Sequence, residues 1–263
     1  VSAFVLGVDR GRYRVLVGEG RDERPVTAMR ARELTRTSIV VGDRVDLVGD
    51  TSGAEGSLAR IVRIQDRATV LRRTADDTDP VERVIVANAD QLVIVTALAD
   101  PEPRPRMVDR CLVAAYDAGM DPLLLLTKAD LAAPQDFLAT YAPLGVPHLV
   151  TTTTDFGQGL DDLRAALAGR VSVLVGHSGV GKSTLVNALV PEADRATGQV
   201  NDVTGRGRHS STSAIALELP DPGGWVIDTP GVRSFGLAHV DPERIIVHFP
   251  DLEAGTDGCP RGC

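Results

Sequence analysis

Lysine is nearly missing from this 263-residue chain: Lys128 and Lys182 are the only two, against 26 arginines. Coding bias accounts for such a skew, yet it makes both exceptions worth following. Cysteine is scarce as well. Cys111 stands far from Cys259 and Cys263, which is too few thiols for a disulfide scaffold, so a reducing, cytoplasmic setting is expected. No apolar run reaches the ~20 residues a membrane span needs, and the start VSAFVLGVDRGRYRVLV lacks a secretory pattern. Neither membrane insertion nor secretion is expected. Aromatic residues make up 3% of the chain, with only Phe4 and Tyr13 in the first 75 residues, so base-stacking platforms are poorly supplied.

What is present suits a soluble globular protein: 43% hydrophobic and 24% charged residues, enough for one large domain or two ordinary ones. The net charge of -8 conceals an asymmetry. Residues 1–75 carry 14 arginines and 10 acids, whereas the rest carries 14 basic and 26 acidic residues. A mildly basic module joined to an acidic body can approach RNA by one face, although chance placement gives the same numbers.

Short alternating segments fill the first stretch, YRVLVGEG, PVTAMRA, SIVVGDRVDLVGD and SLARIVRIQDR, separated by Gly, Asp and Ser turn signals. They predict a small all-β barrel. The polar, proline-bearing TADDTDPVER is expected to link that barrel to the remainder of the chain. From about residue 84, apolar runs alternate with amphipathic stretches: RVIVANADQLVIVTAL, RMVDRCLVAAYDAGM, PLLLLTKAD, HLVTTTTD, LDDLRAALAG and VSVLVGHSG. Strand and helix in alternation predict an α/β domain with a parallel sheet covered on both faces. Cys111 falls on the apolar face of its helix, as a buried structural thiol would.

Gly176-His177-Ser178-Gly179-Val180-Gly181-Lys182-Ser183-Thr184 fits GxxxxGK[ST], between an apolar strand and a helix, as the motif requires. Its glycines let backbone amides curl around phosphate oxygens. Lys182 reaches the β- and γ-phosphates, and the Ser183 hydroxyl can ligate Mg²⁺. Asp228-Thr-Pro-Gly231 follows a second strand, where Asp228 suits the same Mg²⁺ and the Gly231 amide could sense a γ-phosphate. Thr127-Lys128-Ala-Asp130 ends the strand PLLLL. A carboxylate at Asp130 can accept hydrogen bonds from N1 and the 2-amino group of guanine, which adenine does not offer. Lys128 would lie along the purine, and Thr153 or Thr154 could present an amide to guanine O6. Polar threonines ending a strand account for that last pair equally well.

In the ordinary order the phosphate loop precedes the base motif; here TKAD comes first, so the domain reads as circularly permuted. With VVGDRV, ANADQLVIV, TKADL, GHSGVGKSTLVNAL, GRGRHSST and VIDTPGVRSFGL in hand, the chain resembles the RsgA or YjeQ family, circularly permuted GTPases of small-ribosomal-subunit biogenesis. The resemblance implies an OB-like RNA-binding barrel over 1–75, a permuted P-loop GTPase domain over 76–240 and the start of a C-terminal zinc module over 241–263. It implies GTP hydrolysis to GDP, slow alone and accelerated by the 30S subunit during late maturation. GTP or GDP, Mg²⁺, 16S rRNA and the 30S subunit are the expected partners, and a monomer is the expected state.

The chain departs from the family pattern in three places. Thr127 replaces the usual asparagine, so one hydrogen bond bracing the base loop to the phosphate loop is expected to change. The switch reads HSST, leaving Ser211 or Thr212 as the Mg²⁺ ligand. Three residues separate Cys259 from Cys263 where the family has four, and two cysteines do not close a four-ligand zinc site, so zinc is expected in the full-length protein but not stably in this chain. Val232 stands where many GTPases carry a glutamine that orients water. The resemblance assigns that role to His209, flanked by Arg206 and Arg208. Two other readings stay open: a GTP-regulated RNA-binding module with little hydrolysis, and an ATP-using P-loop enzyme in which Asp130 is incidental.

Overall fold

The computed structural model describes residues 1–34, 37–79, 81–152, 157–191, 213–220, 223–231, 235–241 and, beyond these, 245–246, 249, 253, 255 and 258. Five strands come first: β1 (Ser2–Asp9), β2 (Arg12–Val17), β3 (Arg24–Arg30), β4 (Arg44–Gly49) and β5 (Ala59–Ile64). β1 pairs with β2, β2 with β3, and β4 with both β5 and β1, all antiparallel, while β3 and β5 run parallel. The ring closes in the order β1-β2-β3-β5-β4 and forms a barrel. Period-two alternation turns Tyr13, Val15, Val17, Val26, Ala28, Val45, Leu47 and Ile61 into its core. Tyr13 is thereby spent on packing, and Phe4 stacks 5.3 Å from the Trp225 ring. Neither aromatic residue is left for a base.

β6 (Val70–Arg73) and β7 (Arg83–Ala87) form an antiparallel hairpin. TADDTDPVER, expected to be a linker between domains, is instead the hairpin's loop. Short strands on either side of it, rather than its own polarity, decide its role.

Then come β8 (Gln91–Ala97), α1 (Pro105–Asp117), β9 (Asp121–Thr127), α2 (Gln135–Tyr141), β10 (His148–Val150), α3 (Gly157–Leu167), β11 (Val171–Gly176), α4 (Lys182–Leu189), β12 (Ile215–Glu218) and β13 (Trp225–Asp228). Their sheet order is β10-β9-β8-β11-β13-β12, parallel except for β12. Helices cover both faces. Leu163, Leu167, Leu185 and Leu189 pack on Val93, Val95 and Leu174, while Cys111, Leu112 and Tyr141 pack opposite, on Leu92, Ile94 and Leu124. This burial explains why β8 and β9 read as unbroken apolar runs. Cys111 is fully buried, and burial pushes its thiol up to about 12, as expected of a structural cysteine.

Barrel and α/β sheet are continuous. β1 pairs antiparallel with β12 at Gly7 and Ile215, making one eleven-stranded sheet. The β1–β2 register slips between Val5 and Gly7. Strand alternation puts Ala3 and Val5 in the barrel core while Phe4 and Leu6 face the α/β core. A second weld joins the loop before β4 to β7: the Ala87 amide donates to the Val41 carbonyl at 3.1 Å, and Asn88 Nδ2 donates to the Gly42 carbonyl at 2.9 Å. Gly42 has φ +90°, and a Cβ there would collide with the Ala87 carbonyl. Next to it Asp43 is fully buried and answered: its carboxylate accepts from the Val40 amide at 2.8 Å and from Arg67 Nε and Nη2 at 2.7 and 2.8 Å.

Candidate nucleotide site

The glycine-rich turn leaves β11 at Gly176 and enters α4 at Lys182. Gly179 and Gly181 adopt φ +86° and +96°, the left-handed conformations that curl amides around a central point. A Cβ on Gly176 would collide with the Val95 carbonyl, so the turn sits tight on β8. Ser183 and Thr184 are exposed on the first turn of α4, where unpaired amides favour anions. Lys182 is only 7% exposed, and its Nζ donates to the Gly176 carbonyl at 2.9 Å.

Asp228 ends β13 alongside Leu174 of β11. The Thr229 hydroxyl donates to the Leu174 carbonyl at 2.6 Å, fixing the start of the turn. A Cβ on Gly231 would lie 3.3 Å from the Ser178 amide nitrogen, so the two loops touch. Asp228 Oδ1 is buried and has no hydrogen-bond partner. Burial pushes the Asp228 carboxyl up and the Lys182 ammonium down, and in both cases their mutual attraction only partly opposes it. The chain thus holds a buried ammonium and a half-buried carboxylate that it does not fully answer. An orphaned carboxylate oxygen beside the Ser183 end of α4 is the donor set Mg²⁺ takes, with phosphate oxygens completing its shell.

At the other end, Thr127 is buried, and its hydroxyl donates to the Val180 carbonyl of the phosphate loop at 2.6 Å. The brace expected to change with the loss of asparagine is therefore kept in hydroxyl form. Lys128 has φ +61°, and its Nζ donates to the Asp100 carbonyl. Pro101 sits next to Gly179, so the 98–104 segment spans from base loop to phosphate loop. Asp130 is exposed in the turn after β9, and the Ala129 amide donates to the Thr151 carbonyl at 3.1 Å, drawing in the end of β10. His177 behaves differently from its neighbours: its Nδ1 lies 2.8 Å from the Ser178 carbonyl, and its ring lines a small cavity with Pro101, Glu102 and Arg104.

The structure thus brings Thr127, Lys128, Asp130, residues 176–184, Asp228 and Gly231 to the carboxyl ends of β9, β11 and β13, with β8 between the first two. Thr153, Thr154, Arg206, Arg208, His209, Ser211, Thr212, Val232, Cys259 and Cys263 lie outside the described residues. Sequence reasoning passes over Thr229 and Asp100. The first could be found from the strand-end threonine in DTPG; the second acts through a backbone carbonyl, which any residue supplies.

A phosphate loop on β11, an aspartate turn on the adjacent β13 and a base motif on β9, earlier in the chain than the phosphate loop, define a circularly permuted GTPase fold with an N-terminal β-barrel. A family model described as RsgA GTPase matches residues 64–238. The chain belongs to the RsgA GTPase family. It is 43% identical over 224 residues to the small ribosomal subunit biogenesis GTPase RsgA of Pseudomonas syringae pv. syringae, covering 82% of this chain and 63% of that protein. The Pseudomonas aeruginosa (strain LESB58) protein of the same name is 41% identical over the same shares. The chain thus spans 63% of the length of these curated relatives. Among solved structures, YjeQ from Thermotoga maritima matches with a TM-score of 0.68 and 26% identity, covering 95% of this chain and 81% of that one. YloQ, a circularly permuted GTPase, matches in fold with a TM-score of 0.66, covering 100% of this chain and 82% of that one at 24% identity.

Proposed function

We propose that this protein binds GTP and hydrolyses it to GDP and phosphate, and that it acts on the 30S ribosomal subunit late in maturation. The curated relatives' name supports the biological role. One observation carries the chemistry: at a glycine-rich phosphate loop the chain buries Lys182 and leaves a buried oxygen of the half-buried Asp228 without a hydrogen-bond partner. A bound nucleoside triphosphate with Mg²⁺ supplies the missing partners, phosphate oxygens for the ammonium and a cation for the carboxylate.

In this reading Gly176 to Thr184 hold the phosphates, and Ser183, Asp228 and one of Ser211 or Thr212 hold the Mg²⁺. Gly231 reads the γ-phosphate. Thr127, Lys128 and Asp130, with Thr153 or Thr154, read guanine. His209 orients the attacking water in place of the missing glutamine. The division runs 1–75, 76–240 and 241–263: an OB-like barrel presenting arginines to 16S rRNA, a GTPase body, and the opening of a zinc module to which Cys259 and Cys263 belong. The ring order β1-β2-β3-β5-β4 supports the OB-like reading. The protein works as a cytoplasmic monomer.

The deciding experiment measures nucleotide binding and turnover with and without 30S subunits. GTP binding in preference to ATP, with turnover raised by the subunits, is expected; equal displacement by ATP would favour an ATP-using enzyme. His209→Ala is expected to bind GTP normally and to lose subunit-stimulated turnover. Undiminished stimulation would remove His209 from the mechanism.

A further inference from the structure

The segment after the DTPG turn does not rest on its own domain's helices alone. The β6–β7 loop grips it. The Thr74 amide donates to the Gly236 carbonyl at 3.1 Å, the Gly236 amide returns a bond to the Thr74 carbonyl at 3.2 Å, and the Ala238 amide donates to Thr74 Oγ1 at 3.3 Å. The Leu237 amide donates to Asp77 Oδ1 at 3.1 Å. Arg110 of α1 closes the ring: its guanidinium forks onto both Asp77 oxygens and donates to the Phe235 carbonyl at 3.2 Å. There is no room for slack. A Cβ on Gly236 would collide with Thr74 Oγ1 and the Asp76 carbonyl. Arg110 and the Leu237 amide hold the Asp77 carboxyl down at about 2, so the clasp stays charged throughout the physiological range.

One end of this clasped strip lies four residues beyond Gly231, which packs on Ser178 of the phosphate loop. Its other partner, the hairpin, is welded through Val86, Ala87 and Asn88 to the barrel loop at Val41 and Gly42. Contacts therefore run from the clasped strip, by way of the hairpin, to the barrel, and the strip follows Gly231 in the chain by four residues. We propose that Thr74, Asp77 and Arg110 are positioning residues that hold the Gly231 segment ready for a γ-phosphate and pass its presence to the β6–β7 hairpin. This rests on the GTP reading above. Tight backbone pairing and a forked ion pair suit a two-position coupling element, because they break as a unit rather than stretch.

The test compares affinities for GDP and for a nonhydrolysable GTP analogue in the unaltered chain, in Asp77→Asn, in Arg110→Gln and in Thr74→Val. GDP affinity is expected to hold in all three variants. The preference for the analogue is expected to fall about five- to tenfold. Thr74→Ser, which keeps the hydroxyl that Ala238 donates to, is expected to restore it. Amide exchange at Gly236, Leu237 and Thr74 should be slower with the analogue than with GDP. A preference unchanged within about twofold, or exchange equal in both nucleotide states, would overturn the positioning role while leaving the GTP reading intact. Failure of the unaltered chain to bind either nucleotide would overturn both.

Discussion

Asp43 in the barrel is fully buried and Asp228 at the end of β13 half-buried with one oxygen out of reach of water, and the chain treats the two carboxylates oppositely. Around Asp43 every demand is met from within: one backbone amide and a two-pronged arginine. Around Asp228 a buried oxygen has no partner, and its neighbour Lys182 is itself under-solvated. Burying a charge costs several kcal/mol unless it is answered, so the first aspartate reads as architecture and the second as a receptor for something not of the chain.

The widest split between the two should come from removing Asp43. Asp43→Ala strands Arg67, which is 18% exposed, and is expected to cost about 3–5 kcal/mol of stability by urea denaturation, with nucleotide affinity of the folded protein unchanged. Asp228→Asn should do the reverse. On the proposed function, turnover is expected to fall about 10²–10³-fold, because a bound Mg²⁺ would lose an anionic ligand. The nucleotide-free protein should nevertheless melt about 2–4 °C higher at pH 7, equivalent to ~1 kcal/mol. The sign comes from the direction of the shift: the folded pKa of Asp228 lies above its ordinary 3.8, so stability from the protonated form is full below that value and drains away as pH rises through the folded pKa. The asparagine gain should therefore shrink as melting is repeated towards pH 4. A variant no more stable than the parent at pH 7 would mean that Asp228 is answered after all.

Thr127→Val gives the smallest effect. It removes the bond to Val180 at nearly constant shape, and is expected to cost about 1 kcal/mol of stability and a few-fold in affinity for GTP and GDP alike. A loss confined to GTP would point instead to a direct role at the γ-phosphate.

The same contrast explains what a reader of the sequence can see. Residues 176–184, Asp228 and Thr127 to Asp130 are legible because they fall in short motifs, GxxxxGK[ST], DTPG and TKAD, with particular residue types at fixed spacings. Asp43 is silent because its partner, Arg67, lies 24 residues away and nothing local joins them. β1 escapes notice for a related reason. Both its faces are covered, Ala3 and Val5 in the barrel core and Phe4 and Leu6 against the α/β core, so it lacks the apolar–polar alternation that marks a strand. α2, only seven residues long, offers too short a pattern. Thr127 draws attention in the sequence for what it lacks relative to asparagine. That its hydroxyl reaches the same loop depends on where β9 ends relative to α4, which spacing does not encode.

The β1–β12 seam has a consequence for how the protein is kept soluble. β12 is the last strand of the α/β sheet, and one row of its backbone groups is covered only because β1 lies against it. A fragment cut after β5 would bare that row together with the apolar surface around Trp225 that Phe4 shelters. Such an edge recruits strands from other molecules. The barrel is therefore also a chaperone in cis, and the GTPase half made alone should self-associate.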